Sequence, residues 1–302
     1  LGAQLRAVRQ RIRTVRSTAK ITRAQELIAS SRIIKAQQRV REAGPYAREI
    51  TRAVTAVVSR SGQINHPLTM PAAGPSRSAV LILTSDRGFA GGYNASVLRE
   101  AQGVKALLAE RGVTSVPFVA GRKGIVWHSF RDLPVAAQWS GFSETPAHAD
   151  AAEITRSLLD AFAAPASEGG VDEIHIVYTE FVSMLTQRPV VRRLLPLEIE
   201  ETTEQPAGGP VPIYEFEPSA PDVLDALLPW YVESRIYHAL LEAAAAEIAA
   251  RRKAMKSATD NANELIDSLT LEANKARQAE ITQEISEIVG GANALAETIA
   301  GR

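Results

Sequence analysis

From Trp230 to about Ala300 the chain has no proline and a single glycine pair, Gly290-Gly291. The stretch is dense in Ala, Leu, Glu, Lys, Arg and Gln, residues that lose little side-chain freedom in a helix. As one helix rising about 1.5 Å per residue it spans roughly 105 Å. That is far beyond the three or four turns of a usual globular helix. Ile281, Ile285, Ile288, Ala292, Leu295 and Ile299 step 4, 3, 4, 3, 4, the heptad rhythm of a coiled coil. Upstream, Met255, Ala258, Ala262, Leu265, Leu269, Ala273 and Ala276 keep a similar step, with a slip of phase near Glu280 that reads as a stutter. A helix of this length with an apolar seam requires a partner.

The other end of the chain offers one. Leu5, Val8, Ile12, Val15 and Ala19 step 3, 4, 3, 4, flanked by arginines that leave the seam intact. Ile21, Ile28, Ile34 and Val40 extend this helix to Gly44-Pro45, where the proline predicts a kink or break. Ile50, Val54 and Val57 resume it to about Arg60. The economical arrangement is an antiparallel pair of terminal helices, with the C-terminal one overhanging by roughly 15–20 Å. The seam from Ile281 to Ile299 then has no partner in its own chain and implies a second protein.

Between the arms the grammar changes. Residues 61–78 form a Pro/Gly/Ser-rich connector. Strands are expected over 79–84, 113–120, 135–140, 172–181 and 189–199, with helices over 94–111, 122–132 and 145–163 between them. Asn94 and Thr145 are the expected N-caps. Such alternation predicts a mostly parallel α/β sandwich. The acidic, Gly/Pro-bearing stretch 200–212 is expected to be mobile, and 213–217 to add a short edge strand. Pro221-Asp222 opens a helical turn or two that Pro229 interrupts before the long helix.

The chemistry-bearing residue types are sparse. With no cysteine in 302 residues, disulfides, thiolate catalysis and cysteine metal sites are excluded. No apolar run approaches the length that spans a bilayer, so no membrane insertion is expected. Net charge is zero, but residues 1–41 carry 11 basic side chains against the single acid Glu26. That arm has no aromatic stacking residues, and coiled-coil packing explains it better than nucleic acid does. The loop Ser85-Asp86-Arg87-Gly88-Phe89-Ala90-Gly91-Gly92 follows a strand and precedes a helix, the layout that cradles phosphates. Its glycine spacing matches neither dinucleotide nor P-loop patterns. Arg87 stands out there as an exposed cation suited to a carboxylate partner. His66, His128, His148, His175 and His238 are scattered, no nucleophile elbow or triad is present, and no cofactor is expected. Two other readings remain open on these features: a coiled-coil adaptor or nucleic-acid binder, and a dinucleotide-dependent α/β enzyme with helical arms.

Several blocks resemble the γ subunit of F-type ATP synthase. They are residues 254–262 (AMKSATDNA), 274–285 (NKARQAEITQEI), 287–292 (EIVGGA), 20–24 (KITRA), 85–88 (SDRG) and 91–94 (GGYN), in order along essentially the whole chain. The resemblance implies a long antiparallel coiled coil of residues 1–60 and 221–302 plus a central Rossmann-like α/β domain over 79–220. It implies a non-catalytic central-stalk rotor subunit, with three α and three β subunits, the ε subunit and the c-ring as partners. The implied place is the cytoplasmic side of a bacterial plasma membrane, bound peripherally as part of the synthase. By the same resemblance Arg277, Gln278, Thr282 and Arg87 match β-subunit contacts, and Tyr214 and Glu217 match c-ring contacts. Gln25 and Arg251 match shaft positions, and Ile281, Ile285, Ile288, Leu295 and Ile299 match the seam of the tip. Gln25 departs from the methionine common among bacterial relatives, and Ala90 from a common cysteine. The absence of cysteine excludes a thiol switch. Loops 164–170 and 200–212 are longer than usual, and one of them is expected to meet a regulatory neighbour.

Overall fold

The computed structural model describes residues 2–60, 74–197, 217 and 219–300. In chain order these form α1 (Gly2–Arg60), β1 (Arg77–Leu83), α2 (Tyr93–Glu110), β2 (Thr114–Ala120), α3 (Arg122–Ser129), β3 (Ala137–Trp139), α4 (His148–Ala163), β4 (Glu173–Phe181), β5 (Gln187–Leu195) and α5 (Ala220–Ala300). The chain divides into two compact units, residues 1–28 with 252–302, and residues 29–251.

The second unit holds a five-stranded sheet in the order β3-β2-β1-β4-β5. β1, β2, β3 and β4 run parallel, and β5 returns antiparallel to β4 across a short hairpin. The parallel strands are near-continuous apolar runs because both faces are covered. Ala79, Leu81, Leu83, Ile174 and Ile176 face α4 and the Val232–Ala243 part of α5, meeting Ile154, Leu158, Val232 and Ile236. Val80, Ile82, Val119 and Val177 face the other way, onto Val97, Leu98, Ala101, Val104 and Leu108 of α2. The expected sandwich is present, with β5 as its one antiparallel strand.

Two expected caps are made differently. Gly92 precedes α2, and Asn94 Oδ1 instead accepts from the Ser85 N–H at 2.9 Å, tying the helix to the loop after β1. Ala147 precedes α4, whose first turn is closed by Asp150 accepting from the Ala147 N–H at 2.7 Å. Thr145 therefore lies outside the helix.

Neither proline breaks its helix: α1 passes through Pro45 and α5 through Pro229. Ile50, Val54 and Val57 of α1 pack against Leu224 and Leu228 of α5, and both leucines are fully buried. Burying each such side chain contributes roughly 1.5–3 kcal/mol, and the five together outweigh the ~3 kcal/mol of a helix-interior proline. Because α5 begins at Ala220 instead of Trp230, it exceeds α1 by more than the sequence suggested. In the same unit Ala29, Ile33 and Ala36 pack on Ala245, Ile248 and Ala249.

The first unit is an antiparallel helix pair. Leu5, Val8 and Ile12 share a core with Leu269 and Ala273, while Thr22 Oγ1 lies 2.8 Å from Thr259 Oγ1. The buried positions of α5 here are Met255, Thr259, Ala262, Leu269 and Ala273, with Ile266 half-buried. Leu265 is exposed, so the seam runs through Thr259 and Ile266 in place of Ala258 and Leu265. The step is then an unbroken heptad from Met255 to Ala276. In α1 the seam likewise continues through Thr22 and Glu26, and Ile21 is 63% exposed. Residues 61–73 of the connector, and 198–216 with the expected edge strand and Tyr214, lie outside the described residues.

Candidate functional site

Two features stand apart from ordinary packing, one in each unit.

The first is the end of α5. Past Glu280 the apolar positions shift phase by one residue, and Ile281, Ile285 and Ile288 are 44%, 56% and 71% exposed. Among the described residues nothing covers these apolar positions, and an exposed apolar stripe at heptad spacing is the mark of a contact surface. The helix continues to Ala300, about 30 Å beyond Ile281 at 1.5 Å per residue. The side chains of Leu295 and Ile299 lie outside the described residues. Around the start of the seam, Arg277, Gln278 and Thr282 are all exposed. Gln278 and Thr282 are one turn apart on a single face, and the Thr282 hydroxyl donates back to the Gln278 carbonyl at 2.9 Å. Gln25, on α1 of the same unit, is exposed.

The second is a cluster around Glu144, in the loop between β3 and α4. Its carboxylate, 14% exposed, receives Arg251 Nη1 at 3.1 Å and Arg87 Nη1 at 3.7 Å, and also pairs with Arg32 of α1. Arg251 is buried and bridges further: Nη2 donates to Glu247 Oε1 at 2.6 Å, and Nε donates to the Gly88 carbonyl at 3.3 Å. Burial pushes the Glu247 carboxyl up to about 6, against the pull of Arg251. The loop carrying Glu144 is held by Asp86, whose Oδ2 accepts the Gly141 N–H at 2.8 Å and the Ser143 N–H at 3.0 Å. Asp86 Oδ1 accepts the Arg122 N–H at 3.0 Å. A cavity of about 400 Å³ opens beside the cluster, lined by Arg32, Lys35, Arg39, Asp86, Arg87 and Glu144 among others.

These contacts say what the glycine loop after β1 is for. In a sheet of this order a nucleotide would sit outside the carboxyl ends of β1 and β4, where the strand order reverses. Here that space is filled by α5: Ala90 and Tyr93 pack on Ala246 and Ala250 beside Phe181. The Tyr93 hydroxyl donates to the Ala243 carbonyl at 3.2 Å, and burial raises its phenol well above the ordinary range. The loop carbonyls of Arg87 and Gly88 point at the Arg251 guanidinium. The loop is a socket for a helix. Sequence spacing had excluded the standard phosphate patterns, but only the tertiary structure shows Arg251 in the place of a ligand. Glu144 and Glu247, which organise this socket, carry no sequence signal that distinguishes them from other acidic residues.

The remaining candidates separate. Arg87 and Arg251 meet at Glu144. Arg277, Gln278, Thr282 and the isoleucines belong to the first unit. Glu217 is exposed at a bend, and Tyr214 lies outside the described residues. Among the described residues no group of three His, Cys, Asp or Glu could hold a metal, and no helix is long and apolar enough to cross a membrane.

An apolar helical seam with no cover among the described residues, and a nucleotide crevice filled from within, define a class: a subunit that works through protein contacts in a larger assembly. The comparisons with known proteins specify which. The profile of the ATP synthase family matches residues 4–295. The ATP synthase gamma chain of Acidothermus cellulolyticus is 62% identical over 298 residues, covering 99% of both chains. That of Thermobifida fusca is 56% identical over 304 residues, covering 100% of this chain and 99% of its own. Among solved structures, a chain of the Euglena gracilis mitochondrial ATP synthase shares the fold with a TM-score of 0.68 at 16% identity, covering 98% of this chain and 95% of that one. This chain belongs to the ATP synthase γ-chain family.

Proposed function

We propose that the chain is the central-stalk rotor subunit of a proton-translocating ATP synthase, coupling rotation of the membrane c-ring to conformational change at the catalytic β subunits. Family membership supports the assembly, and the uncovered Ile281, Ile285 and Ile288 carry the reading of the mechanism. A ring of three α and three β subunits closed around α5 would supply the missing cover. Such a ring meets a single helix asymmetrically, so each β subunit faces a different set of side chains at any instant. A rotor shifts a catalytic site only to the extent that its contacts differ between that site's states. Arg277, Gln278 and Thr282, exposed at the start of the overhang, are the polar groups that make such contacts directional. Arg87 reaches carboxylates of β from the second unit.

The subunit itself is non-catalytic: the filled crevice at β1 and β4 leaves the chemistry to the β subunits. The ε subunit and the polar loops of the c-ring meet the sheet-bearing unit, with Tyr214 and Glu217 at the c-ring contact. One of the loops 164–170 and 200–212 meets a regulatory neighbour. The complex is membrane-associated, and this chain is peripheral, on the cytoplasmic side of a bacterial plasma membrane.

The test is co-expression with α and β subunits, native mass determination and an ATPase assay. One copy per three α and three β, with activity dependent on it, is expected. A chain that stays free of α and β would overturn the reading.

A further inference from the structure

Glu144 has no assigned role, yet three cations from three separate elements converge on it. Arg32 comes from α1, Arg87 from the loop between β1 and α2, and Arg251 from α5. With Glu247 included, the ion pairs join three guanidiniums to two carboxylates. The loosest of them is that of Arg87. Its contact, at 3.7 Å, is longer than that of Arg251, and its side chain is 70% exposed against 10% for Arg251. A guanidinium has five N–H donors, and among the described residues the Arg87 side chain uses one nitrogen, toward Glu144. Arg87 is therefore aimed but not consumed. A single carboxylate can do this because its two oxygens accept about four hydrogen bonds.

We propose that Glu144 is a positioning residue for rotary coupling. It holds the Arg87 guanidinium in a fixed direction toward an anionic group of the surrounding subunits and ties the sheet to both long helices through Arg32 and Arg251. The backbone around it is built for rigidity. Asp86, next to Arg87, accepts from Gly141 and Ser143, so the two loops that carry Arg87 and Glu144 are clamped to one another. The Ser143 hydroxyl closes the clamp by accepting the Asp86 N–H at 2.9 Å. An arginine on a free loop would spend binding energy on its own ordering, and one held in advance does not. The proposal rests on the rotor reading above, in which Arg87 meets carboxylates of β.

The experiment uses the whole ATP synthase in inverted membrane vesicles, reading ATP-driven proton pumping relative to ATP hydrolysis. Glu144→Gln keeps the shape and removes the charge. The assembled complex is expected to lose pumping per ATP by about twofold to fivefold, with Arg87→Ala alone giving a similar loss and the double variant little more, the non-additivity of residues acting as one group. Glu144→Asp keeps the charge but shortens the reach, and is expected to show a smaller loss in a fully assembled complex. A wild-type ratio in either assembled Glu144 variant overturns the proposal, as does a double variant whose losses simply multiply. Loss of assembly in both variants overturns it too, because Glu144 would then be structural only. If the wild-type chain itself fails to support coupled pumping, the rotor reading fails, which is a separate result.

Discussion

The contrast between Leu269 and Ile285 allows a sharp test, because the two apolar residues lie on one helix and one is buried while the other is exposed. Leu269 is 3% exposed in a core with Leu5, Val8 and Ile12. Leu269→Ala removes buried methyl and methylene groups and leaves a cavity between two stiff helices, a loss of about 2–4 kcal/mol. Ile285 is 56% exposed, so less than half of its roughly 1.5–3 kcal/mol of burial is realised in the free chain. Alanine also has the higher helix propensity, by up to about 0.5 kcal/mol. Ile285→Ala is therefore near neutral in the free chain. In the complex the exposed remainder is buried, and the same substitution should weaken association by about 1–1.5 kcal/mol. Hydrogen exchange read by mass spectrometry on segments within 1–28 and 252–280 measures the first effect. Dissociation of the chain from α and β subunits under urea measures the second. Leu269→Ala should raise exchange in both segments of the free chain while Ile285→Ala leaves them unchanged. Equal loss of protection from both substitutions would mean that Ile285 packs within its own chain, and the argument from the uncovered seam would fail.

Three further outcomes follow from other parts of the structure. Arg277→Ala combined with Gln278→Ala removes exposed groups only, so assembly should persist while ATP-driven pumping per ATP falls; loss of assembly would make these residues structural. Gly121→Ala should prevent stable folding of the sheet-bearing unit, because φ is +100° and an added Cβ would lie 2.1 Å from the Thr84 carbonyl oxygen; a soluble variant with a wild-type melting curve would refute this. Burial raises the Glu247 carboxyl from 4.5 to about 6, so the folded state holds its proton longer than the unfolded chain does. The stabilising contribution is full below about pH 4.5 and is lost as pH rises through 6, on the order of 1–2 kcal/mol. Wild type should lose stability relative to Glu247→Gln across that window, and a pH-independent difference between the two would show that Glu247 is not shifted.

Much of the fold was legible because it rests on periodicity. Leu5, Val8 and Ile12 announced a seam, and the strands around β1 announced themselves as apolar runs between turn residues. The misses have one cause: local rules were applied where long-range burial decided. Pro45 read as a kink or break and Pro229 as an interruption, but both helices run on through them, where fully buried Leu224 and Leu228 pack. Ala258 and Leu265 read as seam positions because they are apolar, yet Thr259 and Ile266 hold that line, since two helices in contact select phase before polarity. Asn94 and Thr145 carry capping side chains, but cap geometry depends on where the preceding loop delivers the chain.

The amino-acid order by itself determined the two long helices, their antiparallel pairing, the alternating sheet domain and the unmatched apolar tip, because each is a repeat that a short window contains. Its resemblance to a known family supplied the candidate contacts at Arg277, Gln278 and Thr282. Only the tertiary structure decided that the glycine loop after β1 holds a helix, and that Glu144 gathers Arg32, Arg87 and Arg251. These residues lie far apart along the chain, and nothing in the neighbourhood of any one of them encodes the others. Their meeting is a product of the sheet order, which brings the loops after β1 and β3 to the carboxyl end of the parallel strands, where α5 fills the crevice at β1 and β4.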